Sequence, residues 1–122
     1  MKIRIKGNSV RFRLTRTEVS TLCTIGRIEE KTGFNDAEFN YAVQVVDNLG
    51  ELNAEFKANI ILLKLPKGLA NGWDVNETIG FENKVTLDNG NELALLIEKD
   101  FTCLDNTIED QSDNYPNPKS GH

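Results

Sequence analysis

The side chains best suited to chemistry in this sequence are arginines. Arg4, Arg11, Arg13 and Arg16 all lie within the first sixteen residues. Lys2, Arg4 and Lys6 alternate with Ile3 and Ile5, and Ser9, Arg11 and Arg13 alternate with Val10, Phe12 and Leu14. Alternation at period two reads as strands with one apolar and one basic face. A guanidinium offers a planar fork of donors that fits carboxylate or phosphate, so the chemistry on offer is anion binding. Two uses fit that pattern: a solvated face that protects a sheet edge, or a surface for phosphate or an acidic partner.

Other chemistry finds little material. The sole histidine, His122, is the last residue, where nothing would orient it as a base. No nucleophile elbow, phosphate loop or dinucleotide fingerprint appears. Cys23 and Cys103 match no zinc spacing and read as free thiols. Asp105, Glu109, Asp110 and Asp113 cluster near the end but lack the spacing of a calcium loop. No catalytic residue, metal or cofactor is therefore assigned, and an enzyme is not the expectation.

The 122 residues suit a single domain, and 39% hydrophobic with 27% charged residues describes an ordinary globular chain. Apolar runs such as Ile60–Leu63 and Leu93–Ile97 are far too short to span a membrane. The N-terminus alternates charged and apolar residues without a continuous signal-like core, which leads to a cytoplasmic expectation. The net charge of −5 disfavours a general nucleic-acid binder but conceals an asymmetry. Residues 1–31 carry eight basic groups against three acids, so they stand at +5 and the remainder at −10.

The elements that would carry the arginines recur. Shifted by 51 residues, "IKGNSVRFRLT" at 5–15 lies over "FKANIILLKLP" at 56–66. Hydrophobic phase continues to agree: Val19 with Ala70, Leu22 with Trp73, Ile28 with Ile79, Phe34 with Val85. "YAVQV" at 41–45 then lies over "LALLI" at 93–97. Each unit reads β-β-α-β-β, over about 2–47 and 53–101. In both, phase flips after Gly7-Asn8 or Ala58-Asn59, so a bulge or a tight turn must sit there, and a bulge around Asn8 and Asn59 is favoured because alanine tolerates a left-handed turn poorly. Thr15 and Glu18 form a capping box for the first helix, and Pro66 opens a short second one. Strands near 26–33 and 38–47, and near 78–87 and 91–101, complete the units, the latter pair turning at Asp88-Asn89-Gly90. The fold class is α+β and β-rich, a pseudo-two-fold barrel-like domain or, failing that, an open two-layer sheet.

Where the first unit has Ser9 and Arg11, the second has Ile60 and Leu62. Outward apolar residues need cover, from a strand buried on both faces or from a partner surface. Residues 1–104 form the domain in this reading. Residues 105–122 form a polar acidic tail without periodicity, through which Ile108 and Tyr115 could dock.

Two likenesses lie on these residues. "GNSVRFRLTRTEV" and "ILLKLPKGLANGW" resemble the opening of the transition-state-regulator and antitoxin family of swapped-hairpin barrels. That likeness implies dimeric DNA binding through basic strand and loop residues. Thr15 stands for the usual proline, and the copy with Pro66 lacks the arginines. The whole chain, including "LDNGNELALLIEKDFTCLD" and "EDQSDNYPNP", resembles a family of small uncharacterised bacterial proteins, which implies no particular activity. The expectation is a non-enzymatic binding domain acting on a protein partner or on a second copy of itself. The alternative is a nucleic-acid-binding regulator using Arg4, Arg11, Arg13 and Arg16.

Overall fold

A computed structural model describes residues 1–101 and 112–116. Its elements are β1 (Lys2–Lys6), β2 (Ser9–Leu14), α1 (Arg16–Ile25), β3 (Arg27–Gly33) and β4 (Glu38–Val46), then β5 (Asn53–Lys57), β6 (Ile60–Pro66), α2 (Lys67–Ala70), β7 (Gly80–Thr86) and β8 (Glu92–Lys99). The order β-β-α-β-β thus occurs twice. Thr15 caps α1 as the sequence implies: its hydroxyl accepts from the Glu18 N–H at 3.4 Å, and Glu18 Oε1 accepts from the Thr15 N–H at 2.9 Å. Gly26 ends that helix in the left-handed region. Behind Pro66, α2 makes a single turn, since Gly68 and Gly72 give a longer helix little support.

The phase flips are tight turns, not the expected bulges. Lys6 pairs directly with Ser9 and Lys57 with Ile60, leaving two-residue loops. Gly7 takes φ +55°, while Ala58 and Asn59 take +51° and +63°. Alanine does occupy the left-handed position, at a cost of about 1–2 kcal/mol. Chain reversal, rather than a slip of register, explains the flip. It also puts Lys2, Arg4 and Lys6 on the same sheet face as Arg13, Arg11 and Ser9.

The strands form two four-stranded sheets, ordered β1-β2-β8-β7 and β3-β4-β6-β5. Each sheet joins a hairpin from one half of the chain to a hairpin from the other, through parallel β2–β8 or β4–β6 pairing. The two registers correspond: Ser9 faces Ala94 as Ile60 faces Asn40. Loop bonds correspond too, the Ala94 N–H donating to Asn8 O at 3.0 Å and the Asn40 N–H to Asn59 O at 2.9 Å. In the second hairpins this correspondence equates Tyr41 with Leu95, two residues beyond the match to Leu93 that the sequence suggests.

No closed barrel forms among the described residues. Strands β1, β7, β3 and β5 remain sheet edges, and the sheets meet instead through side chains. Val10, Phe12, Leu14, Leu95 and Ile97 from one sheet share a core with Val43, Leu63 and Leu65 from the other. Val19 and Leu22 of α1 and Trp73 beyond α2 belong to the same core. Burial of that apolar surface is the main stabilising term, at roughly 1.5–3 kcal/mol for each large side chain.

Candidate functional site

The outer face of the first sheet is assembled row by row from its ladders. Lys2, Arg13, Glu98 and Gly80 form one row, Arg4, Arg11, Leu96 and Glu82 the next, and Lys6, Ser9, Ala94 and Lys84 the third. Buried Val10, Phe12 and Leu14 hold the intervening residues outward. Arg13 Nε donates to Glu98 Oε1 at 2.9 Å, and Arg11 Nε lies 3.6 Å from the same oxygen. Lys2 Nζ pairs with Asp100 Oδ2 at 2.8 Å. One carboxylate thus holds two guanidinium groups, while Arg4 and Lys6 are left without an ion-pair partner among the described residues. A concavity of about 290 Å³ opens between Lys2, Arg4, Arg11 and Arg13. The partly exposed pairs of Arg11 and Arg13 with Glu98 stabilise by at most about 1 kcal/mol each.

Of the four arginines singled out by sequence, this face gathers Arg4, Arg11 and Arg13. Arg16 stands apart, in the first turn of α1, its guanidinium 5.3 Å from the centre of the Tyr115 ring. Ile60 and Leu62 lie on the corresponding face of the second sheet. Ile60 sits between Asn40 and Lys57, and Leu62 between Ala42 and Glu55. Strand β6 is interior to its sheet, both residues are half-buried, and Ala42 beside them is fully buried. The carboxylate of Glu55 lies 3.5 Å from both Lys57 and Lys64, so charge on this face is met locally.

A second feature escaped the sequence. At the turn ends of β1 and β5, a cleft of about 360 Å³ is lined by Ile5, Val10, Ala54, Phe56, Ile61 and Leu93, among others. Ile5 is 55% exposed and Phe56 63%. Ile5 and Phe56 are counterparts under the 51-residue shift, as are Val10 and Ile61. That signal was available, but only the hairpin exchange brings the two pairs together.

The far end of the molecule is also organised. Lys99 is buried, donates to Asn76 O at 2.7 Å, and lies 5.8 Å from the Trp73 ring centre and 5.0 Å from that of Tyr115. Burial pulls its ammonium below the usual lysine range, against the nearby charge of Asp74. Burial likewise raises the Tyr115 hydroxyl. Residues 112–116 strap this end: the Tyr115 N–H donates to Asp100 O at 2.8 Å, and Asp113 Oδ1 accepts from the Thr17 hydroxyl at 3.0 Å. Of the segment expected to form an acidic tail, Asp113 and Tyr115 contact the body. Asp105, Ile108, Glu109, Asp110, Cys103 and His122 lie outside the described residues.

Nucleophilic chemistry has no support at Cys23. Its thiol lies 3.3 Å from Ala70 O, and burial pushes it up toward the unreactive protonated form. A larger cleft of about 800 Å³ runs past Cys23, Asp47, Lys67 and Asp74. Among the described residues, no three histidine, cysteine or acidic side chains are grouped to hold a metal ion. No described helix is long and apolar enough to cross a membrane. What the molecule offers is a basic sheet face beside an apolar cleft.

The chain belongs to a family of unknown function (DUF7009), whose match extends over residues 1–119. No curated protein and no solved structure gives a significant match.

Proposed function

We propose that this protein is a non-enzymatic binding module that takes an acidic segment of a protein partner on the outer face of its first sheet. The observation that carries this reading is the surplus of cations there: Glu98 engages Arg11 and Arg13, while Arg4 and Lys6 stand beside them with no ion-pair partner among the described residues. Rim charges of this kind steer association and select partners by sign. A protein partner is favoured over nucleic acid by two features. The chain carries a net charge of −5, which opposes a long polyanion more than a short acidic segment. The apolar cleft at Ile5 and Phe56 adjoins the face and suits side chains better than phosphates.

The same reading treats the halves as copies of one duplicated hairpin–helix–hairpin unit, supported by their equal turn registers and corresponding parallel ladders. A cytoplasmic setting, expected from the sequence, belongs with it. The test is a titration with a glutamate-rich peptide and, separately, a short DNA duplex, at roughly 50 and 200 mM salt. Peptide binding that weakens about tenfold or more in Arg4→Glu/Arg11→Glu supports the reading. Retention of DNA alone, lost in the same variant, replaces it with the nucleic-acid regulator.

A further inference from the structure

The proposed acidic partner meets more than a charged surface, because β1 is a sheet edge. Its ladder partner among the described residues is β2. The two-residue turn makes Lys6 and Ser9 a hydrogen-bonded pair, and alternation extends that pattern to Arg4–Arg11 and Lys2–Arg13. Ile3 and Ile5 consequently aim their N–H and C=O groups away from β2. A sheet edge of this kind is a template for another strand.

We infer that the partner binds by strand addition: an extended segment pairs with the edge at Ile3 and Ile5, alternating acidic residues over Arg4 and Lys6 with apolar residues in the cleft beside Ile5. This rests on the basic-face reading above and specifies its mode. The alternation follows from period two. Residues of an added strand on the outer side continue the rows of Lys2, Arg4 and Lys6, and those on the inner side continue Ile3 and Ile5. Main-chain bonds then supply affinity, and the alternate side chains supply selectivity.

Charge also decides against a second copy as occupant. Edge-to-edge pairing of β1 with itself would bring two sets of Lys2, Arg4 and Lys6 together, and like charges across a ladder repel. The cations that block self-pairing recruit a strand of opposite sign. The corresponding edge, β5, is not prepared in this way: it presents Asn53, Glu55 and Lys57, with Glu55 engaged by two lysines.

The experiment compares two peptides of one composition with the full chain. One alternates glutamate and valine over about six residues, a typical strand length; the other places the glutamates in one block and the valines in another. The alternating peptide is expected to bind at least about tenfold more tightly, or ~1.4 kcal/mol. Hydrogen exchange at the Ile3 and Ile5 amides should slow on binding. Ile5→Pro removes the edge donor without removing charge, and should erase the preference between isomers. If that variant does not fold, the isomer ratio and the amide protection still decide. Equal binding of both isomers, weakened alike in Arg4→Glu, overturns strand addition and leaves the basic face standing. Binding of neither peptide above the level of Arg4→Glu overturns both. A concentration-dependent dimer with protected Ile3 and Ile5 amides overturns the inference in favour of self-pairing.

Discussion

The β1–β2 and β5–β6 hairpins share a ladder register and a place in the fold, yet they present different surfaces. Inward, they match closely: Val10 against Ile61, Phe12 against Leu63, Leu14 against Leu65. All but Ile61, which is half-buried, are buried. Outward they part company, with Arg4 against Glu55, Ser9 against Ile60, Arg11 against Leu62. The core restricts one face of a strand and leaves the other open to change. Residues repeated on both hairpins are therefore explained by packing, and function is best sought where the hairpins differ.

The sharpest way to break that comparison is through the inner face. Phe12→Ala should destabilise by about 3–5 kcal/mol and Leu63→Ala by about 2–5, since both side chains are fully buried and leave cavities in one shared core. Arg11→Ala and Leu62→Ala, half-exposed, should cost much less. Urea denaturation of the four variants measures this. A loss below about 1 kcal/mol for either inner substitution would mean that the two hairpins are not equivalent supports of the core.

Much of this arrangement was legible beforehand, and the failures are instructive. The eight strands, the Thr15–Glu18 cap and the short α2 followed from periodicity and capping chemistry, which act locally. The partners of the strands did not follow, because β2 meets β8 and β4 meets β6 across the whole chain. The joining of Lys2, Arg4 and Lys6 to Arg11 and Arg13 on one face was missed for a different reason. It depends on whether two residues make a turn or a bulge, and Ala58 argued for the wrong choice. Arg16 looked continuous with the other arginines, but Thr15 starts a helix and carries it to the far end beside Tyr115.

That turn chemistry supplies a smaller test. Gly7 and Ala58 open two-residue loops at φ +55° and +51°, although the second loop residue is left-handed only at Asn59 and not at Asn8. Only glycine adopts this region freely, so Ala58→Gly should relieve about 1–2 kcal/mol of backbone strain, offset by ~0.4–1 kcal/mol of added freedom in the unfolded chain. A net gain of some tenths to ~1 kcal/mol is expected, with Gly7→Ala losing a similar amount. Thermal or urea midpoints that move in opposite directions for the two variants support an equivalent role for the first loop residue. Movement in the same direction separates the hairpins at their tips.

The least effect concerns a place where the second pair of hairpins diverges. Lys99 N–H donates to Ile79 O at 2.9 Å just as Val45 N–H donates to Gly26 O at 2.8 Å, so lysine occupies the position that valine fills in the other sheet. Its ammonium lies against Trp73 and Tyr115, and burial lowers its pKa from 10.5. At neutral pH both the folded and the unfolded chain hold this proton, and the penalty of burying the charge is fully present. As pH climbs through the lowered folded value toward 10.5, the folded chain releases the proton while the unfolded chain keeps it. The unfolded state then binds more protons, so this group's contribution to stability rises with pH. Tyr115, Tyr41 and Cys23, all raised by burial, act in the opposite sense above their ordinary values. The measurement is accordingly a difference: wild-type stability minus that of Lys99→Met, followed by urea denaturation from neutral pH to about 10.5. Wild type should gain on the variant across the upper part of that range. A level difference would show that the ammonium is as well solvated when folded as when unfolded, and that the lysine–aromatic cage imposes no cost on charge.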